Sequence, residues 1–159
     1  MATARTLANI KRRHYKMLHR TPAAYTRPTT AGNFATFLGT FTEMGYCRDK
    51  TLKLILTPAE KEFLDNGAEL NLGFNGHIEG VLLQTQAADF TDYEALENLS
   101  QDYLFYSEVS DITIFVPTAL LSFKEEMVSG EVEGIAFEWN AQNLATKLAF
   151  RDRFAEPQT

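Results

Sequence analysis

Two stretches of this chain, residues 52–74 and 112–137, are written to one plan, and that plan restricts what the chain can fold into. Each begins with an apolar run (LKLIL, ITIFV) and passes a proline (Pro58, Pro117). Each then reaches a glycine stop (Gly67, Gly130) and ends in a second run closed by phenylalanine (Phe74, Phe137). A proline at the first helical position gives up no hydrogen bond, and glycine suits the left-handed residue past a helix end. The plan therefore predicts strand, helix, strand in both stretches, which is the grammar of a βαβ unit.

Local chemistry extends this pattern along the chain. Thr57-Pro58-Ala59-Glu60 and Thr91-Asp92-Tyr93-Glu94 both have the form of a capping box, in which a hydroxyl and a carboxylate satisfy free amides of the first helical turn. The second predicts a helix from Thr91 to Tyr106, with Leu96, Leu99, Tyr103 and Tyr106 on its inner side. Pro117 predicts a helix through Leu121 and Met127, and Asn140 caps a last one through Leu144 and Leu148. Near the front, helices are expected over 3–20 and over 33–44. The latter has Asn33 as its cap, Phe34, Phe37, Leu38, Phe41 and Met44 as its stripe, and Gly45 as its stop. Residues 21–30, with two prolines and no periodicity, form a linker or extended arm. Strands are expected at 51–56, 68–74, 77–85, 111–116 and 131–139, with Asn75-Gly76 as a tight hairpin turn.

The fold class expected is α+β. It consists of a single domain over 31–154 with a roughly five-stranded mixed sheet packed against helices, two N-terminal helices, and a frayed tail at 155–159. A chain of 159 residues that is 45% hydrophobic can bury one core of ordinary size.

Charge is segregated along the sequence. Residues 58–140 hold seventeen Asp and Glu against Lys61 and Lys124, whereas residues 1–57 hold ten Lys and Arg against Glu43 and Asp49. The overall balance of −6 conceals a basic front and an acidic body, a distribution that bears on partners and not on fold. Cys47 is the only cysteine, so a disulfide framework is excluded. With no apolar run of membrane-spanning length and no secretory h-region, the sequence points to a reducing cytoplasmic compartment and away from membranes.

Catalytic chemistry is not written here in any motif. His14 and His19 are five apart, which does not align two imidazoles on a helix face as metal ligands, and His77 has no second ligand at a recognisable spacing. No phosphate-binding loop, dinucleotide-binding glycine pattern or nucleophile elbow is present. The sequence therefore calls for no cofactor and no metal, and it points to binding rather than catalysis. A small enzyme without a readable motif is a third class.

The favoured function is a regulatory protein whose acidic surface engages a basic protein partner, one that itself holds nucleic acid. The carboxylates expected on that surface are Asp89, Asp92, Glu94, Glu97, Asp102, Glu125, Glu126, Glu131 and Glu133. In charge alone, and through no motif, such a body is similar to small proteins that imitate DNA and inhibit its binders. The alternative is a nucleic-acid-binding module on the N-terminal helix, with Arg12, Arg13, Lys16 and Arg20 on phosphates and Tyr15 stacked on a base. The same basic helix is equally suited to dock on this protein's own acidic body, or on that of a neighbouring copy, which would make a homo-oligomer.

Overall fold

The computed structural model describes residues 14–48, 50–59, 61–83, 93–107, 112–126, 129–130 and 134–159. Of these, 52% lie in strands and 9% in helix, so the α+β expectation is corrected to an all-antiparallel β fold with one α-helix. The elements, in chain order, are β1 (Lys16–Arg20), α1 (Ala31–Gly39), β2 (Thr42–Tyr46), β3 (Lys53–Pro58), β4 (Lys61–Phe63), β5 (Glu69–Asn71), β6 (Phe74–Leu83), β7 (Gln101–Tyr106), β8 (Ile112–Ala119), β9 (Ser122–Glu126), β10 (Gly134–Leu144) and β11 (Asp152–Ala155). They form a five-stranded sheet in the order β11-β8-β7-β1-β2, a four-stranded sheet in the order β3-β6-β10-β9, and a two-stranded β4-β5 hairpin.

The two larger sheets pack face to face. Met17, Tyr103, Phe105 and Val116 from one meet Ile78, Leu82, Phe137 and Ala141 from the other, with Phe150 filling between them. Along β6, buried Gly76, Ile78, Gly80 and Leu82 alternate with half-buried His77, Glu79, Val81 and Leu83, the period-two signature of a sheet covered on one side. The five-stranded sheet is covered on both sides. Its second face carries Leu18, Leu104, Phe115 and Phe154, and these are roofed by Phe34 of α1 and by Tyr25 of the 21–30 arm. A strand at the centre of such a sheet has no polar face, and β7 is buried from Gln101 through Phe105.

The expected helices fail for identifiable reasons. Pro58 is the last residue of β3, an edge strand, where a missing amide costs no ladder bond. Pro117 lies within β8 beside an irregularity in its pairing with β7, where Thr118 takes φ 44°. Prolines are tolerated at such bulges as well as at helix starts. The expected helix from Thr91 to Tyr106 is, in its described part, a short turn from Tyr93 to Asn98 followed by β7. Asn98 ends the turn at φ 61°. The expected Asn140 helix is the continuation of β10 to Leu144.

At the front, Lys16–Arg20 is strand and not helix, residues 14–15 before it are not helical either, and the expected helix up to residue 13 lies outside the described residues. A helix is present here, but it is α1 over Ala31–Gly39 and not 33–44: Thr30 is its cap, accepting from the Asn33 amide at 3.1 Å, and Met44 and Gly45, expected at its end, lie in β2. Asn75-Gly76 is no turn, because both residues lie inside β6. The tail is tied back at its end: the Ala31 amide donates to the Thr159 carbonyl at 3.1 Å. Among the described residues no helix is long and apolar enough to cross a membrane.

Candidate functional site

Three of the expected carboxylates, Glu94, Glu97 and Glu125, lie near Tyr93. The chain turns sharply there, with the Leu96 amide on the Tyr93 carbonyl at 3.0 Å and the Glu97 amide on the Glu94 carbonyl at 3.4 Å. The Tyr93 ring is buried against Phe123 of β9, with ring centroids 5.8 Å apart. Its hydroxyl donates to the Glu125 carboxylate on that same strand. Glu94, Glu97 and Glu125 are all exposed. Burial pushes the Tyr93 phenol well above its usual range, and the Glu125 hydrogen bond and the charges of Glu125, Glu94 and Glu97 add to the push. Three of the expected carboxylates therefore share one electrostatic neighbourhood, although Glu97 and Glu125 are far apart in sequence.

The other expected residues are distributed differently. Asp89, Asp92, Glu131 and Glu133 lie outside the described residues, and Glu126 is the last residue of β9, opposite Gly134. Asp102 is not on an exposed helix face. It is 1% exposed in β7 and accepts from Arg20 Nε at 2.9 Å, the Thr118 amide at 2.9 Å and the Ala23 amide at 3.2 Å. Arg20 is likewise interior, its guanidinium over the rings of Phe41, Phe37 and Phe115 at 4.8, 5.3 and 5.4 Å. Lys16 pairs with Glu43 at 3.2 Å, and Tyr15 packs against the main core. Arg12 and Arg13 lie outside the described residues. The basic residues of the alternative that are described do not form one exposed helical face, because the segment that carries them is strand β1.

Sequence reasoning missed a second polar surface, the outer face of the four-stranded sheet. His77 Nδ1 lies 2.6 Å from Asn140 Oδ1, and His77 Nε2 lies 3.3 Å from Glu79 Oε2. Asn140 Nδ2 donates to Glu138 Oε1 at 3.2 Å, and Lys53 Nζ reaches Glu79 at 3.5 Å. The hydrogen bond with Asn140 raises the His77 pKa, and Glu79 is lowered chiefly by His77. A groove of about 520 Å³ adjoins this row, bordered by Lys50, Lys53, Lys124, Glu79 and Glu138. The partners are brought together by the β3-β6-β10 register, in which Glu79 faces both Lys53 and Glu138. The readable signal was period-two spacing, His77 and Glu79 on one strand and Glu138 and Asn140 on the other.

Burial pushes the Cys47 thiol up to about 12, which disfavours the thiolate. Among the described residues no three His, Cys, Asp or Glu side chains are grouped to hold a metal ion. What the Tyr93 surface can do chemically is present a group of exposed carboxylates beside a buried aromatic ring. Scanned against protein-family models the chain matches none, and a search of curated proteins found no match.

Proposed function

We propose that this protein works by binding, and that the carboxylates around Tyr93 engage a basic protein surface of the kind that holds nucleic acid. The observation that supports this is the approach of Glu125 of β9 to Glu94 and Glu97 of the 93–98 turn, all three exposed and all acting on Tyr93. Like charges that share a patch repel, which lowers stability somewhat. Charge of this kind acts mainly on encounter, giving fast association that slows steeply with salt, while apolar contacts supply specificity. Leu99, 47% exposed just beyond the turn, is an apolar neighbour of the patch in sequence.

The test is a pull-down from cell extract with wild-type protein and with the Glu94→Lys/Glu97→Lys variant. Both positions are exposed, so the variant keeps the fold. The expected result is retention of a basic, nucleic-acid-binding protein by the wild type and its loss in the variant at low salt. Equal retention by both, or no basic partner at all, removes this function.

A further inference from the structure

The β4-β5 hairpin is an apolar arm with no core of its own. Its strands pair in register, Phe63 opposite Glu69 and Lys61 opposite Asn71. The loop is well made: the Leu64 amide reaches the Ala68 carbonyl at 2.8 Å, and Gly67 takes φ 82°. Yet every residue from 61 to 70 is exposed, Phe63 by 70%, Leu64 by 45% and Leu70 by 44%. A lone two-stranded hairpin is marginal in water, and a group of large apolar side chains on a projecting element marks a contact surface. Single exposed leucines need no explanation, but a phenylalanine and two leucines on one short ribbon do.

The same chain offers a groove of matching chemistry. Beside α1, on the second face of the five-stranded sheet, a depression of about 450 Å³ is lined by Leu18, Leu38, Phe41 and Tyr106. Its rim carries one cation and one anion, Lys16 and Glu43, paired at 3.2 Å. The arm carries the same combination, Lys61 and Glu69 paired at 3.3 Å on the face that bears Phe63. An apolar anchor flanked by a cation and an anion can meet an apolar groove flanked by an anion and a cation with every charge matched.

We propose that the arm of one copy of this chain seats in the α1 groove of a second copy, Phe63 entering beside Leu38 and Phe41, with Lys61 toward Glu43 and Glu69 toward Lys16. Because arm and groove are different surfaces, the contact is head to tail. Each copy gives one arm and receives another, so assembly continues until it closes as a ring or grows as a filament. This contact is separate from the Tyr93 patch, and its test does not depend on that patch.

The experiment measures mass in solution by light scattering on eluted protein, using two variants on exposed positions. Phe63→Ser/Leu70→Ser disarms the hairpin, and Ala35→Arg blocks the groove from the exposed side of α1. Circular dichroism and thermal melting establish that both remain folded. The wild type is expected to assemble and each variant to be monomeric. A mixture of the two variants is expected to form a dimer and stop there, since only one arm and one groove remain competent. A monomeric wild type, unchanged assembly in the hairpin variant, or an arm that binds only a different protein overturns the proposal.

Discussion

Arg20 and Asp102 face each other inside the protein, guanidinium to carboxylate at 2.9 Å, where β1 runs beside β7 beneath the 21–30 arm. Asp102 does more than neutralise Arg20, because its second oxygen holds the amide of Thr118, a β-branched residue at φ 44° in the β8 irregularity. Such a backbone persists only when its surroundings hold it.

Asp102→Ala should therefore destabilise by about 3–5 kcal/mol, the usual cost of leaving one partner of a buried pair alone. Replacing both charges with apolar residues is often neutral. Here it should not be, since the Ala23 and Thr118 amides would each lose their acceptor at about 1–3 kcal/mol. Urea titration of Asp102→Ala and of Arg20→Met/Asp102→Leu reads both, and a double variant as stable as wild type would contradict the account.

A second buried carboxylate, Asp152, fastens the other half of the arm. It is 2% exposed and receives Arg27 Nε at 2.9 Å as well as the Tyr25 hydroxyl and Arg27 Nη2. Burial works to raise its pKa, but the hydrogen bonds from Arg27 and Tyr25 together outweigh it and hold the group below its ordinary value. The folded pKa is thus depressed. Its contribution is fully present above the unfolded value, about 3.9, and is lost as pH falls through the folded one. Stability measured from pH 6 downward (about pH 6 to 2) should fall in that acid window, and Asp152→Asn should be less stable at neutral pH with a flatter acid limb. An identical acid limb in the variant would assign the loss to other carboxylates.

Helix capping gives a direct contrast between two threonines. Thr30 accepts from the Asn33 amide, so Thr30→Ala should cost about 1 kcal/mol. Thr57 heads a capping box in sequence, but it lies exposed in β3 opposite Asn75 and caps no helix. Thr57→Ala should stay within about 0.5 kcal/mol of wild type. Thermal melts of the two variants decide this, and a Thr57 effect as large as that of Thr30 would contradict the contrast.

How much could be read in the sequence follows from what each residue touches. The stripe Phe34, Phe37, Leu38, Phe41 and Met44 was legible in part: Phe34, Phe37 and Leu38 lie on α1 and pack together with Phe41 just beyond it, but Met44 belongs to β2 and packs against the main core. The apolar runs at 51–56 and 111–116 were legible as strands, but their prolines were read as helix starts, whereas the strands run on through Pro58 and Pro117. Strand β7 was not, because burial on both faces erases the alternation, and Tyr103 and Tyr106 then fall at helical spacing from Leu96 and Leu99 by coincidence. Glu94 and Glu97 were read as exposed on the outer face of a 91–106 helix, and they are exposed, though on a short turn. The fate of Asp102 was not, since Arg20, Ala23 and Thr118 meet it only through tertiary structure.

Gly76 illustrates the same limit and yields the last prediction. Beside Asn75 it has the composition of a tight turn, yet its place in β6 is dictated by a ring from the far end of the chain. A Cβ added there would lie 2.3 Å from Cδ2 of Phe150, which is fully buried and stacked on Trp139 at 5.5 Å. Phe150 cannot withdraw without opening the core, so Gly76→Ala should destabilise by about 1–3 kcal/mol through overpacking. Phe150→Leu removes the flat ring and leaves a cavity, and alone it should also destabilise. In the double variant the added methyl occupies part of the space that the ring gave up, so the two costs should not add. A cycle of the four proteins in urea should show coupling of about 0.5–3 kcal/mol in the favourable direction. Strict additivity would mean that the methyl and the ring do not compete for one space, and that Gly76 is there for a backbone reason after all.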